Sequence, residues 1–371
     1  MTGTRPMVRP NTPGASRHEL LLETEHAAHF VPRRVIERAW PPLAALSWPH
    51  SARAPYDLIH GLNAIPITTK PFITTFESIL PRALGPGGSR VAWHLRERLT
   101  RANCRSLVAM SEYARKKFIK NNREWPALDS TLSKVRVIYP HFADRGATIR
   151  QHASPLRLIF VGNDFARKGG IVVLRAITKA KIPLHLDIVS GMRYAGDVYT
   201  DHPDRARYAE DLRNLSHANV TVHGRLPNAE VLALMSQAHV QLLPTLDDTF
   251  GYSVVEGFSV ATPAIVSNVC AMPELVPPAA GAIVEIPIDE WGNWQGLGKR
   301  ADRDYWERLD AVYDSMADQT VRQLSLLADD PKTIESWSAG ALERFRRMHE
   351  SRAVSARLDD LYDAALGAAL N

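Results

Sequence analysis

The 371-residue sequence has few features that would cross-link it or anchor it in a membrane. Only two cysteines are present, Cys104 and Cys270, which predicts neither a disulfide framework nor a cysteine zinc cluster, and a reducing cytosol is the simplest compartment. No apolar run reaches the length of about 18 residues that a transmembrane helix needs. The first residues, MTGTRPMVRPNTPGASR, lack the apolar core of a secretory signal, so residues 1–18 are predicted to be a disordered tail.

The sequence also lacks a strong excess of charge of either sign. Its 45 Lys and Arg residues against 40 Asp and Glu residues give a net charge of +5, and the basic residues are scattered. Such a surface is typical of a solvated protein, and no nucleic-acid partner is predicted; attraction to phosphates or anionic lipid heads is the functional alternative. A hydrophobic fraction of 45% is typical of a soluble globular protein, and the length suits two domains.

From residue 156 onwards, short apolar runs alternate with segments of helical periodicity. The predicted strands are 156–162, 184–191, 220–224, 240–244 and 263–268, and the predicted helices are 169–180, 228–238 with an Asn cap, and one around Glu256. Strands that alternate with helices form βαβ units and a parallel sheet with both faces covered. The pattern predicts a doubly wound, Rossmann-like domain over residues 155–350.

The first half shows the same rhythm less regularly, which predicts a short second Rossmann-like domain over residues 19–145. Its predicted strands are 56–61, 71–78, 106–111 and 134–140, and its predicted helices are 93–104 and 112–122. At the other end of the chain, three further helices are predicted at 303–330, 331–350 and 351–370. The polar, aperiodic stretch 141–155 is the expected domain boundary. Two such domains leave a cleft lined by the carboxyl ends of their strands.

The stretch LPTLDDTFGYSVVEGFSVATPAIVS, residues 243–267, predicts an anion site where a helix begins after a strand. The free amides of a helix N-terminus suit a phosphate, and the residues expected to offer them are Thr249, Phe250, Gly251, Tyr252 and Ser253. Glu256 can accept two hydrogen bonds from the paired hydroxyls of a sugar, and Asp248 can hold a second polyol. The alternative is that Asp247 and Asp248 only cap the helix and that Glu256 is a solvated helix residue.

A second loop with cations follows the first strand of the same domain, in FVGNDFARKGG at residues 160–170. Gly162 allows a tight turn, and Arg167 and Lys168 are expected at the carboxyl end of that strand. An arginine can bind a diphosphate through two hydrogen bonds, and a lysine adds a point charge. The alternative is a solvated basic loop.

The order and spacing of these stretches resemble the donor half of glycosyltransferase family 4. Two further stretches share the resemblance: VHGRLPNAEVLALMSQAHVQLLPT and MPELV. The resemblance covers about residues 156–284 strongly and the first half weakly. The E-x7-E signature of the family falls on Asp248 and Glu256, which implies that Asp248 contacts the donor sugar and Glu256 the ribose. The diphosphate-binding lysine of the family falls on Lys168. Its usual arginine falls on Asn163, with Arg167 as the expected substitute.

The resemblance also suggests residues around the nucleobase and the acceptor. Gly224, Arg225 and Leu226 are the candidates for the base pocket. Many members carry a histidine where PFITTFESILPR, residues 71–82, has Glu77, so Glu77 is the acceptor-side catalytic candidate, with a surface glutamate as the alternative. His60 and Ser111 are also expected at strand ends, where structural roles are the alternative.

The family resemblance implies a GT-B fold: two Rossmann-like domains that face a cleft, with the final helix at 351–371 returning to the first domain. It implies a retaining hexosyltransferase that uses a UDP- or GDP-sugar without metal or cofactor. Arg167 and Lys168 would stabilise the leaving diphosphate, and Asp248 and Glu77 complete the catalytic candidates. No D-x-D metal motif follows a strand.

The acceptor expected from the resemblance is a glycan, a lipid-linked molecule or a small molecule, as in polysaccharide biosynthesis. A cytoplasmic location is predicted, with peripheral contact to an anionic inner membrane face through the basic segments 96–105 and 114–120. Three alternatives remain open at this point: a GT-B phosphorylase, a nucleotide-sugar epimerase, and a non-catalytic nucleotide-sugar-binding module.

Overall fold

The computed structural model describes residues 7–11, 28–32, 41–47, 56–83 and 85–367. The chain divides into two compact units. The first unit consists of residues 1–143 and 348–371, and the second unit of residues 144–347. Each unit is built on a six-stranded sheet whose strand pairs are all parallel.

Fourteen strands occur in the described residues. They are β1 (Met7–Asn11), β2 (Ala28–Pro32), β3 (Leu46–Ser47), β4 (Ile59–Leu62), β5 (Ile65–Pro66), β6 (Phe72–Phe76), β7 (Cys104–Ala109), β8 (Val135–Val137), β9 (Leu156–Val161), β10 (Leu184–Val189), β11 (Val220–Gly224), β12 (Val240–Leu243), β13 (Ala264–Ser267) and β14 (Gly281–Val284). The sheet of the first unit has the order β2-β1-β4-β6-β7-β8, and β3 pairs only with β5.

Eleven α-helices occur in the described residues. They are α1 (Gly88–Arg96), α2 (Glu112–Asn122), α3 (Leu128–Leu132), α4 (Gly170–Lys179), α5 (Ala209–Arg213), α6 (Asn228–Gln237), α7 (Tyr252–Ser259), α8 (Met272–Leu275), α9 (Tyr305–Asp329), α10 (Pro331–Met348) and α11 (Ser351–Gly367). None of them combines the length and the hydropathy that crossing a bilayer requires.

The prediction of a disordered tail over residues 1–18 is wrong for Met7–Asn11, which form β1. This strand pairs with β2 along all five residues and with β4 at Val8. Its sequence, MVRPN, has no alternation of apolar residues and contains a proline, so the tertiary pairing, and not local propensity, makes it a strand. The remaining residues of the predicted tail lie outside the described part of the chain.

Helix α11 completes the core of the first unit. Its buried residues Val354, Leu358 and Tyr362 pack against Ile73 of β6 and Val108 of β7. Short hydrogen-bonded backbone links fix the start of the helix: the amide of residue 142 donates to the carbonyl of residue 349 at 2.8 Å, and the amide of residue 351 donates to the carbonyl of residue 142 at 2.9 Å. The last segment of the chain is therefore an integral layer of the unit that the first residues begin.

The sheet of the second unit has the order β11-β10-β9-β12-β13-β14. All residues of β12 and β13 are buried, as expected for strands covered on both faces. The strand order reverses between β9 and β12, because β10 and β11 extend to one side of β9 while β13 and β14 extend beyond β12. Ligands of doubly wound sheets bind at such a reversal, beyond the carboxyl ends of the strands.

The α/β elements predicted in the second half are confirmed, including the helix around Glu256, which is α7. The predicted Asn cap of α6 is wrong. Pro227 occupies the cap position without a side-chain hydrogen bond, and Asn228 is the first helical residue. The side chain of Asn228 is used elsewhere, in a contact with α7.

Candidate functional site

The loops that follow β9 and β12 meet at the strand-order reversal of the second unit. The backbone amide of Leu246 donates to the carbonyl of Arg167 at 2.8 Å. A Cβ atom on Gly169 would lie 2.1 Å from the carbonyl oxygen of Pro244, and Gly169 has φ of 92°. Only glycine fits this contact, so the β9 loop lies directly against the end of β12 and brings the two predicted motifs into one site.

Arg167 joins the two loops. Its Nε donates to Asp164 Oδ2 at 3.1 Å, and its NH1 donates to the carbonyl oxygen of Asp247 at 2.6 Å. Only 15% of its side chain is exposed. The guanidinium that the sequence predicts as a diphosphate ligand is thus bonded largely within the protein, and it links the β9 loop to the β12 loop.

Lys168 and Asp248 form an ion pair across the same junction, between Nζ and Oδ2. The other carboxylate oxygen of Asp248 accepts the backbone amide of Gly251 at 3.2 Å. A Cβ atom on Gly162 would approach the Lys168 side chain to 2.9 Å, so the missing side chain at Gly162 leaves space for the lysine. Asp248 therefore connects the lysine to the start of α7, and each member of the pair compensates the charge of the other.

The N-terminus of α7 begins at Gly251, which has φ of 88°. A side chain at this positive φ would be strained, and its Cβ atom would also lie 2.3 Å from the Met272 methyl carbon, so glycine is favoured at the entry into the helix. Of the five residues predicted to supply amides, Gly251 already donates to Asp248, and the ring of Phe250 is buried beside Tyr252 at 5.0 Å between centroids. Tyr252 and Ser253 are half-buried, and Thr249 lies on the loop that precedes them.

Glu256 lies in the second turn of α7 and is half-buried. Its Oε1 accepts a hydrogen bond from Asn228 Nδ2 at 2.8 Å. The start of α6 thereby fixes the direction of the carboxylate. A carboxylate has about four acceptor positions, which is the chemistry that paired sugar hydroxyls need.

Asn163 and the predicted base-pocket residues meet beside Gly191. The side chain of Asn163 accepts the Gly191 amide at 3.1 Å, and a Cβ atom on Gly191 would lie 2.6 Å from Arg225 Nε. Gly224, with φ of 66°, turns the chain just before Arg225. Leu226 instead packs against the apolar cluster around α6, so its side chain has a structural contact.

Three site residues were missed by the sequence prediction: Asp164, Arg193 and Tyr199. Asp164 is buried and bonded by two arginines, Arg167 and Arg193, the latter through Nε at 2.6 Å. Burial raises the pKa of Asp164, but the hydrogen bonds and charges of both arginines outweigh burial and lower the pKa below its ordinary value. Arg193 and Tyr199 belong to an aperiodic stretch between β10 and α5, and such a stretch gives no signal from which its position can be predicted.

Asp247 is buried next to the ion pair, and its carboxylate has partners of its own. The Tyr199 hydroxyl donates to Oδ2, and the Cys270 thiol donates to Oδ1 at 3.3 Å. Burial raises the pKa of Asp247, against the thiol hydrogen bond and the attraction of Arg167. The alternative prediction that both aspartates cap a helix fits Asp248, which accepts the Gly251 amide at 3.2 Å, whereas the carboxylate of Asp247 is bonded to Tyr199 and Cys270 instead.

The aperiodic stretch is anchored by Asp201, which is fully buried. Asp201 accepts the amide of Ala195 at 3.2 Å and the hydroxyl of Thr200 at 3.1 Å. Burial raises the pKa of Asp201 to about 7, although these hydrogen bonds and the charges of Arg167 and Arg300 oppose the rise. The folded protein therefore holds a proton here that the unfolded chain releases at a lower pH.

The Asp201→Asn variant should lose this pH dependence of stability. The contribution of Asp201 is fully present below the unfolded pKa near 3.8 and falls as the pH rises through about 7. At pH 8 the variant should be more stable than the wild type by on the order of 2 kcal/mol, and the difference should shrink towards pH 5. Urea unfolding at the two pH values, with Asp197→Asn as a control on the same stretch, measures this; a constant difference would contradict it.

The predicted residues of the first unit have structural partners. Glu77 follows β6 and pairs with Arg82 at 3.0 Å, and His60 bonds to Tyr362 at 2.8 Å and to Thr75 at 2.6 Å. Ser111 is buried and caps α2 by accepting the amide of residue 114 at 2.9 Å. The structural alternatives for His60 and Ser111 thus have direct support, and the catalytic assignment of Glu77 stays a prediction.

In the ranges that the structure describes, no group of three or more His, Cys, Asp or Glu side chains is arranged to hold a metal ion. The acidic residues at the junction are instead matched to cations: Asp164 to Arg167 and Arg193, and Asp248 to Lys168.

Residues 148–292 match the family model of "Glycosyl transferases group 1". The match covers less than half of the chain, but it includes both loops of the junction and the whole sheet of the second unit. No curated protein sequence matches the chain.

Solved structures resemble the protein over nearly its whole length. Sucrose-phosphate synthase from Thermosynechococcus elongatus has a TM-score of 0.64 at 15% identity, and the alignment covers 98% of this chain and 100% of the synthase chain. A glycosyltransferase from Rickettsia africae has a TM-score of 0.64 at 13% identity, covering 98% and 99%. HepE from Anabaena, in complex with UDP, has a TM-score of 0.61 at 13% identity, covering 97% and 100%. At these identities the likeness shows the fold alone, and it confirms the predicted GT-B fold.

Proposed function

We propose that the protein is a glycosyltransferase that moves a sugar from a nucleotide-sugar to an acceptor hydroxyl. The observation that carries the proposal is the Lys168–Asp248 pair, bonded to the start of α7 at the strand-order reversal. A cation, an acidic acceptor and a helix N-terminus within a few ångströms suit a diphosphate linked to a sugar. The family model covers these same residues.

Each side chain at the junction has a distinct part in donor binding under this proposal. The Lys168 ammonium group leaves Asp248 and binds the diphosphate, and Asp248 then accepts hydrogen bonds from the sugar hydroxyls. Glu256, oriented by Asn228, accepts the ribose hydroxyls. The solved complexes of HepE with UDP and with UDP-glucose support a UDP-sugar as the first donor to test, with a GDP-sugar next.

The proposed reaction retains the configuration of the transferred sugar. The bond between the anomeric carbon and the phosphate oxygen breaks, and the acceptor oxygen bonds to the same face of that carbon. The leaving phosphate oxygen takes the proton of the acceptor hydroxyl. Lys168 stabilises the negative charge that develops on the diphosphate, so the proposed step needs no metal ion or other cofactor.

We further propose that the acceptor, a glycan, a lipid-linked molecule or a small molecule in polysaccharide biosynthesis, is presented at the cytoplasmic face of a membrane. Support comes from α1 of the first unit, where the Trp93 ring is 55% exposed and Arg90, three residues earlier on the same helix, is also exposed. An aromatic side chain beside a cation suits an anionic lipid surface. Co-sedimentation with anionic and neutral vesicles tests this; equal binding of Trp93→Ser and wild type to anionic vesicles would contradict it.

Incubation with a panel of UDP-, GDP- and ADP-sugars tests the activity. A glycosyltransferase should release nucleoside diphosphate slowly by hydrolysis and faster when the acceptor is added. Tight binding without any release would favour the non-catalytic module. Conversion of the sugar within an intact nucleotide-sugar would favour an epimerase, and sugar phosphate formed from a glycan and inorganic phosphate would favour a phosphorylase.

Neutralising each of the two carboxylates, Asp248 and Glu256, should have a different effect on binding and turnover. Glu256→Gln should weaken binding of both nucleoside and nucleoside diphosphate by about 1.5–3 kcal/mol, because the ribose loses a charged acceptor. Asp248→Asn should leave diphosphate binding unchanged or tighter, because Lys168 loses its competing partner, while turnover falls. Calorimetry and initial rates measure both, with the exposed Glu230→Gln as a control. Equal losses of nucleotide affinity in the two variants would refute the division.

A further inference from the structure

Arg193 reaches the junction from a part of the chain that no predicted motif includes. It lies just after β10, and its backbone is bonded to the β9 loop on both sides. Its amide donates to the carbonyl of Asn163 at 2.9 Å, and its carbonyl accepts the amide of Phe165 at 2.7 Å. These two bonds form a parallel bridge opposite Asp164, so Arg193 is held beside the loop that also carries Lys168.

The side chain of Arg193 is oriented by a buried carboxylate. Nε donates to Asp164 Oδ1 at 2.6 Å, and NH2 contacts the same oxygen. Arg167 takes the other oxygen of Asp164, which leaves that carboxylate bonded on both sides. A guanidinium has five N–H donors in a rigid plane, so one edge can bond Asp164 while the rest remain available to a ligand.

Exposure distinguishes Arg193 from the other two cations of the junction. Its side chain is 53% exposed, against 15% for Arg167 and 19% for Lys168. Arg167 is bonded to both loops. Arg193 is therefore the guanidinium that a phosphate can reach without breaking the contact between the β9 and β12 loops.

We propose that Arg193 binds a phosphate group of the nucleotide-sugar donor, with Asp164 as the residue that positions it. The proposal rests on the proposed function and adds a phosphate ligand from the stretch between β10 and α5. Asn163, whose carbonyl accepts the Arg193 amide, carries no charge, so the exposed guanidinium at this end of β9 is supplied by the stretch that follows β10. Arg167 then has a positioning role, because it fixes Asp164 and the β12 loop.

The test compares the binding of a nucleoside with that of its diphosphate by calorimetry, using uridine and UDP or the base that the wild type prefers. Arg193→Gln should weaken diphosphate binding about tenfold and leave nucleoside binding unchanged, because only the phosphates lose a charge-assisted hydrogen bond. Arg193→Lys should lose less, because it keeps the charge. Arg213→Gln is the matched control, since Arg213 is an exposed arginine whose ion pair with Glu210, at 3.8 Å, lies on α5.

Thermal unfolding of the same variants separates binding from a role in folding. If Arg193 only pins its stretch to the β9 loop, Arg193→Gln should lower the melting temperature while the ratio of diphosphate to nucleoside affinity stays constant. That result, with normal wild-type binding, would overturn the assignment of Arg193 and leave the proposed function intact. A wild type that binds neither nucleoside nor diphosphate of any base would overturn both.

Discussion

Replacing Lys168 with alanine should lower kcat by about 100- to 1000-fold, the loss typical when a charged or hydrogen-bonding group aimed at the developing negative charge is removed. The lysine is held at the junction by Asp248 and by the space beside Gly162, so it is positioned before the donor binds. Steady-state rates with a nucleotide-sugar and its acceptor measure the loss, and calorimetry with the nucleoside diphosphate should show weaker binding in parallel.

Lys179→Ala is the control: it removes a lysine from α4, the helix that follows the loop of Lys168. Lys179 is near the end of α4, and it pairs with Asp314 and Asp318 of α9, away from the β9 loop. Its removal should leave kcat within about twofold, since partly exposed ion pairs contribute little. Unchanged diphosphate affinity in Lys168→Ala would show that the diphosphate lies elsewhere.

Truncating Tyr362 to alanine should destabilise the first unit by about 3–5 kcal/mol, the usual cost of removing a large buried aromatic side chain. The ring is fully buried among residues of α11, β6 and β7, and its hydroxyl bonds to His60. Urea unfolding measures the loss. Nucleotide affinity should persist under native conditions, because the donor residues all belong to the second unit.

Two substitutions on α11 serve as controls for Tyr362→Ala. Tyr362→Phe keeps the ring and should cost only about 1 kcal/mol for the lost hydrogen bond to His60. Asp360→Ala changes an exposed residue two positions earlier and should be nearly neutral. If Tyr362→Ala abolished nucleotide binding at temperatures where the protein remains folded, α11 would have a role beyond the core of the first unit.

Five of the six strands of the second unit were predictable from short runs rich in apolar residues and bounded by turns, whereas β14 was not predicted. Strand β12 is buried throughout, β9 is buried apart from Arg157 and Val161, and glycines mark the loops that follow both strands. In contrast, β1 has no periodic apolar pattern, and it is a strand only because β2 and β4 pair with it. Local pattern therefore identified runs rich in apolar residues and missed short strands such as β1 and β14, which depend on pairing with their neighbours.

The two loops that meet at the junction were predicted from the sequence, but the contacts between their residues were not. Lys168 and Asp248 are 80 residues apart and form an ion pair. Arg167 donates to the carbonyl of Asp247 over the same separation, so this predicted phosphate ligand also links the two loops. Such contacts follow from strand order, because β9 and β12 are neighbours only once the sheet has formed. Arg193 depends on a loop without periodicity, so sequence reasoning had no basis for placing it.

The division of the first unit between the two ends of the chain has a consequence for synthesis on the ribosome. The second unit is one continuous segment, residues 144–347, whereas the first unit needs residues from both sides of that segment. The first unit emerges earlier but must wait for α11, and until then Leu58, Ile73 and Val108 lack their apolar cover. The half of the protein that is made first therefore cannot be completed until its last helix has been made, and a premature stop codon before α11 would leave this apolar surface uncovered.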